Sequence, residues 1–129
     1  MTKNVVTMSV KGKIRDAARI MIERGISSLP IVENDVPIGI VTKTDMLELI
    51  ARKDMKDIPN PDDQITKIMT TPIITIKQND PLKKAIDTMS ERKFEHLVVT
   101  GDNGKIAGIL STLDIARAYG NDDTQESEV

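Results

Sequence analysis

The chain carries two similar copies of one sequence pattern in succession, and this repeat constrains its fold more than any other feature. Adding 68 to a residue number in the first half lands on a like residue in the second. Met1-Thr2 maps to Met69-Thr70, Val5-Val6-Thr7 to Ile73-Ile74-Thr75, and Ile14, Ala17 and Met21 to Leu82, Ala85 and Met89. Glu23-Arg24 becomes Glu91-Arg92, and Ile26 and Leu29 become Phe94 and Leu97. One extra residue enters at Thr100-Gly101-Asp102-Asn103-Gly104, after which the shift is 69: Gly39-Ile40-Val41-Thr42 matches Gly108-Ile109-Leu110-Ser111, and Asp45 matches Asp114. So many ordered matches with one gap make a duplicated structural unit the starting point.

Each copy reads as β-α-β-β-α. A β-branched segment opens it, Val5 to Val10 and Ile73 to Ile76. A helix from Ile14 to Arg24 follows, with Ile14, Ala17, Ala18 and Met21 at helical spacing and Gly25 placed to end it. Its counterpart is expected to start at Asp80-Pro81, the aspartate as N-cap and the proline as first helical residue. Leu29 to Val32 and Ile38 to Val41, separated by Glu33-Asn34-Asp35, predict a hairpin. A closing helix is expected from Asp45 to Arg52 and from Asp114 to Tyr119. The fold class is therefore α+β, two β-α-β-β-α repeats at 1–52 and 65–120. The segment 53–64, with Pro59, Asn60 and Pro61, is the expected linker, and the acidic stretch 121–129 is expected to be disordered. One repeat is too small to bury both faces of its sheet, so the two are expected to pack as a pair.

Composition narrows the chemistry. The chain has no cysteine, which removes disulfides, a thiolate nucleophile and a cysteine zinc site, and its one histidine, His96, cannot form a histidine-rich metal site. Phe94 and Tyr119 are its only aromatic residues, so the core must come from Ile, Val, Leu, Ala and Met. Met8, Met21, Met46, Met55, Met69 and Met89 are read as gap-fillers in that core. The net charge is −2, and Asp122, Asp123, Glu126 and Glu128 leave the rest of the chain near neutral, without the basic face that nucleic acid requires. No apolar run approaches the ~20 residues of a membrane span, and no signal-peptide core opens the chain. A cytoplasmic protein with no membrane partner is the expectation.

The most informative segments are Gly39-Ile40-Val41-Thr42-Lys43-Thr44-Asp45 and Gly108-Ile109-Leu110-Ser111-Thr112-Leu113-Asp114. Each sets a hydroxyl at a strand exit and a carboxylate three residues on. Ser/Thr-x-x-Asp before an apolar run is a helix capping pattern, in which both side chains satisfy free backbone N–H groups. The same position suits a ligand, because a helix start offers donors and partial positive charge, an aspartate can accept from a ribose diol, and a hydroxyl can donate to phosphate. Capping and ligand binding can share these residues.

With these residues in hand the chain resembles the CBS (cystathionine beta-synthase) domain pair family from Met1 to Gly120. The resemblance rests on the opening Met-Thr-x-x-Val-x-Thr, seen as Met1 to Thr7 and Met69 to Thr75, on Ser28-Leu29-Pro30-Ile31-Val32, and on both Gly-x-x-Thr/Ser-x-x-Asp endings. It implies a pseudo-twofold pair with two clefts that in many members bind AMP, ADP, ATP or S-adenosylmethionine, with no cofactor required. It implies composite clefts. One would join Ser111 and Asp114 to Thr2, Val5, Thr7, Ile26, Ser27 and Ser28; the other would join Thr42, Thr44 and Asp45 to Thr70, Ile73, Thr75, Phe94 and Glu95. In this scheme Asp holds ribose, Thr or Ser meets ribose or phosphate, and apolar residues flank adenine. The family often places His or Arg before the hairpin to meet phosphate; this chain has Ser27-Ser28 and Glu95-His96, so only His96 fits. Phe94 and Glu95 would crowd and acidify the Asp45 cleft, which makes the Asp114 cleft the better one for a phosphorylated ligand.

The expected function is a regulatory sensor that changes conformation or affinity for an unidentified protein partner when an adenine compound binds. A structural dimerisation module with empty clefts is the alternative. An enzyme ranks third, because no nucleophile and base pair is visible. Ile20, Leu47, Ile50 and Ile86 are read as helix residues left to be covered, which predicts a homodimer.

Overall fold

Periodicity at 3.6 residues buries Ile14, Ala17 and Met21 on one face of helix α1, Ile14–Arg24, in a computed structural model that describes residues 1, 3–51, 59–120 and 128–129. The helix ends where the sequence expects. Gly25 turns left-handed at φ 61, its N–H donates to the Ile22 carbonyl, and the Ile26 N–H donates to the Met21 carbonyl, closing a Schellman motif.

In this repeat β1, Met8–Ser9, runs parallel to β2, Ser28–Glu33, which pairs antiparallel with β3, Val36–Thr42. The hairpin is as tight as chemistry allows. Asn34 and Asp35 both take positive φ, 52 and 65, the two-residue turn whose twist matches its strands. As the middle strand, β2 is buried continuously from Ser28 to Val32, whereas β3 alternates between buried and more open positions. Pro30 is tolerated there because Ile40, opposite it, turns its own N–H and carbonyl outward to Thr70. Helix α2, Lys43–Ala51, follows directly.

The second repeat repeats the order: β4, Thr75–Lys77; α3, Leu82–Arg92; β5, His96–Thr100; β6, Ile106–Ser111; and α4, Thr112–Gly120. β4 is parallel and β6 antiparallel to the central β5. Among the described residues, two three-stranded sheets and four α-helices give the α+β class and the repeated β-α-β-β-α order that the sequence predicts.

Three local expectations are corrected, and one local feature differs between the repeats. The opening strands are shorter or later than Val5–Val10 and Ile73–Ile76, as β1 and β4 show. α3 begins at Leu82 with Pro81 before it as the cap residue, and Asp80 accepts the Lys77 N–H at 3.0 Å instead of capping the helix. That backbone hydrogen bond holds the Asp80 carboxyl below its usual range. The closing helices start two residues before Asp45 and Asp114. Finally, the left-handed end of α3 is made by Lys93, at φ 57, in the place of Gly25.

The chain forms two compact units, Val6–Ile73 and Met1–Val5 with Ile74–Val129. The cut does not follow the repeats, and the reason is on the backbone. Met69-Thr70, which opens the second repeat, lies on β3 of the first: the Thr70 N–H donates to the Ile40 carbonyl at 2.9 Å, and the Thr70 carbonyl accepts from the Ile40 N–H at 3.3 Å. Gly39 makes this approach possible, since a Cβ there would sit 2.7 Å from Met69 Sδ and 3.2 Å from the Thr70 carbonyl oxygen. Met1 in turn packs on the second core.

The first core is built on Leu29, Ile31, Val41 and Ile65, all fully buried, with Met8, Ile14, Ala17 and Met21. The second uses Ile76, Leu82, Ala85, Met89, Leu97, Val99 and Leu110. Met46 and Met69 pack against the first core, as a core poor in aromatics requires, while Met55 lies outside the described residues. Ile20 and Ile86, expected to await a partner, pack onto these cores. Leu47 is 65% exposed, and the Ile50 side chain lies outside the description.

Of the expected linker, 53–58 lies outside the described residues; the remainder is tied to the start of α1. Ile14 and Arg15 N–H donate to the carbonyls of Asp63 and Pro61, and Ile65 N–H donates to Gly12. Residues 121–127 of the expected disordered tail also lie outside the description. At its end Glu128 bridges to Pro81, Val129 N–H donates to the Asp80 carbonyl, and Val129 packs on the second core.

Candidate functional site

The two Thr/Ser-x-x-Asp segments form the same hydrogen-bonded turn in each unit. Thr42 N–H donates to Asp45 Oδ2 at 2.7 Å, and Asp45 N–H donates back to Thr42 Oγ1 at 3.2 Å. Ser111 N–H donates to Asp114 Oδ2 at 2.8 Å, and Asp114 N–H donates to Ser111 Oγ at 3.1 Å. These are reciprocal capping boxes with Thr42 and Ser111 as N-caps and the aspartates at the third helical position. A third bond seats each helix: Lys43 N–H donates to the Ser27 carbonyl at 2.9 Å, and Thr112 N–H to the Glu95 carbonyl at 3.0 Å.

The cap consumes only part of each turn. It uses Oδ2 and leaves Oδ1 as an acceptor, and it does not use the amides of Thr44 and Leu113 at the second helical position. An acceptor beside free helix-start donors can take the hydroxyls of a polyol on one side and an anionic oxygen on the other. Both aspartates are half-buried, shielded enough to strengthen such bonds yet open to a ligand.

The remaining expected site residues distribute by unit. In Val6–Ile73, Ser28 faces Thr42 across the β2–β3 register, and Ser27 and half-buried Ile26 precede it, Ile26 packing on the first core. Thr70 is exposed on the β3 side through its bridge to Ile40, Thr44 is exposed on α2, and Thr7 and Ile73 are half-buried. In the other unit His96 faces Ser111 across the β5–β6 register, Phe94 packs on the second core, Glu95 and Thr75 are exposed, and Val5 is half-buried. Thr2 lies outside the described residues.

One residue escaped the sequence reading. Arg117, one helical turn beyond Asp114, puts Nη1 3.9 Å from Asp114 Oδ1, the oxygen the cap leaves over. The corresponding residue on α2 under the 69-residue shift is Glu48. The opposite charges at matched positions were visible in the repeat, though nothing singled them out until the helix start was fixed. Among the described residues no three His, Asp or Glu side chains gather as a metal would need, and no helix is long and apolar enough to cross a membrane.

The family model of the CBS domain matches twice, at residues 1–52 and 65–121. Inosine-5′-monophosphate dehydrogenase of Chlorobaculum tepidum is 30% identical over 115 residues, covering 89% of this chain and 23% of that protein. The chain spans 23%, 36% and 57% of the lengths of three such curated relatives. A solved CBS domain pair in complex with 5′-methylthioadenosine and S-adenosyl-L-methionine is 28% identical, with a TM-score of 0.80, covering 95% of this chain and 93% of that one. A CBS domain protein of Pyrobaculum aerophilum complexed with AMP has a TM-score of 0.82 and covers 95% of this chain and 93% of that one; at 23% identity the likeness is one of fold.

Proposed function

The chain belongs to the CBS domain family, and from that premise we propose that it is a regulatory module that binds an adenine-containing ligand and has no catalytic role of its own. The observation that carries this reading is the pair of matched turns, each with a half-buried aspartate that caps its helix with one oxygen and keeps the other. A ribose diol is the natural partner of that second oxygen, and the N-cap hydroxyls Thr42 and Ser111 serve ribose or phosphate. The ligand set is AMP, ADP, ATP or S-adenosylmethionine, supported by the adenosine derivatives held in the related CBS pair. Thr2, Val5, Thr7, Ile26, Ser27, Ser28, Thr44, Thr70, Ile73, Thr75, Phe94, Glu95 and His96 remain part of this proposal. Binding acts by favouring one arrangement of the chain over another, which requires different affinities for the two and is read by a protein partner.

The direct experiment is a thermal-melt titration of the chain with AMP, ATP and S-adenosylmethionine. At least one should raise the melting temperature in a saturable way, by RT ln(1 + [L]/Kd) in free energy. No shift with any of them at millimolar concentration would remove the ligand and favour the second reading, a structural module whose turns are only caps; that reading draws on the completeness of both capping boxes.

Assembly is part of the same proposal. Leu47 on α2 and Leu113 and Tyr119 on α4 are 65%, 58% and 74% exposed, apolar surface that a second copy would cover. Light scattering at micromolar concentration is expected to give a dimer mass, and a monomer mass would reject it.

A further inference from the structure

We propose that Arg117 is a specificity-determining residue that makes the Asp114 turn select a phosphorylated adenine ligand over the uncharged nucleoside; this rests on the ligand-binding reading above. Asp114 divides its carboxylate: Oδ2 holds the helix cap at 2.8 Å, and Oδ1 faces Arg117 Nη1 at 3.9 Å. That separation is well beyond a formed charge-assisted hydrogen bond, so the guanidinium is poised at the carboxylate without being committed to it. A ligand diol that donates to Oδ1 occupies the position the guanidinium guards. The long, 69% exposed side chain, with its fork of N–H donors, is then available to a charged group elsewhere on the ligand. A phosphate gains from that fork, whereas a 5′-hydroxyl gains little.

The first repeat supplies the contrast. Asp45 makes the same cap, yet one turn on stands Glu48, which offers no donor and repels an anion. The other charges beside the turns are exposed: Lys43 at the start of α2, and Glu95, whose carbonyl seats α4. Arg117 is also exposed and screened by water; what sets it apart is its place 3.9 Å from the oxygen that the cap leaves over. Arg117 is thus the charge difference between the matched turns that stands beside the oxygen offered to the ligand.

Calorimetric titration of AMP and adenosine into the wild-type chain, Arg117→Gln and Arg117→Lys tests this, repeated with Asp45→Asn so that a single turn is read. Arg117→Gln should weaken AMP roughly three- to tenfold and leave adenosine within about twofold, because one charge-assisted contact on a partly exposed site is lost. Arg117→Lys should recover most of the AMP affinity. Equal weakening of both ligands would show that Arg117 only positions Asp114, and unchanged AMP affinity would show that it does nothing; either overturns the proposal while leaving ligand binding intact. If neither ligand binds the wild-type chain, the ligand-binding reading falls, and this inference with it.

Discussion

Leu29→Ala is expected to lower the unfolding free energy by about 2–5 kcal/mol, the range for emptying a fully buried leucine site. Leu29 is 0% exposed on the central strand β2, enclosed by Ile14, Ala17, Met21, Val41 and Ile65. Each neighbour is fixed by backbone. Val41 is its register partner on β3, and Ile65 is pinned by its N–H bond to Gly12. The flexible Met8 and Met21 can slide partway into the space, which argues against the top of the range. Urea unfolding should show a lowered midpoint with an unchanged m-value. Ile22→Ala, on the outer face of α1 at 80% exposure, is the control and should stay within about 0.5 kcal/mol. A Leu29→Ala loss below ~1 kcal/mol would mean that the first core is not centred where β2 crosses α1.

Much of this architecture was legible because it is local. The bounds of α1 follow from three apolar residues at helical spacing and one glycine, and the hairpin follows from Asn34-Asp35, residues that tolerate the left-handed conformation both adopt. What the sequence hid is non-local or competes with a local rule. No periodicity tells which sheet the segment Met69-Thr70 joins, because its bridge to Ile40 on β3 of the other repeat is a pairing between residues distant in sequence. Ile20 and Ile86 looked free on a helix wheel yet close their own cores, because each helix is covered on more than the face that Ile14, Ala17 and Met21 define. Starting α2 and α4 at the aspartates is an error, because the capping pattern itself puts the N-cap at the hydroxyl three residues earlier. That error mattered for the site, since only the correct start shows that one carboxylate oxygen is spent and the other spare.

Asp114→Asn turns that division of labour into a measurement. An asparagine can turn its single side-chain oxygen to the Ser111 N–H and keep the cap, so the unliganded protein should lose no more than about 1 kcal/mol. The amide then presents NH₂ where Oδ1 stood, a donor facing the hydroxyl donors of a ribose, so the acceptor is lost and its charge with it. Charge-assisted hydrogen bonds contribute about 1.5–3 kcal/mol each, so the affinity of this turn should fall by about one to two powers of ten, and the ligand-induced rise in melting temperature should shrink markedly. Asp114→Ala removes both functions and should combine the binding loss with a helix-cap loss. Asp45→Asn should reduce the AMP response less, because Glu48 rather than Arg117 stands beside that turn. Wild-type-like AMP shifts in both asparagine variants would show that the two aspartates are caps and nothing more, whatever else in the chain binds the nucleotide.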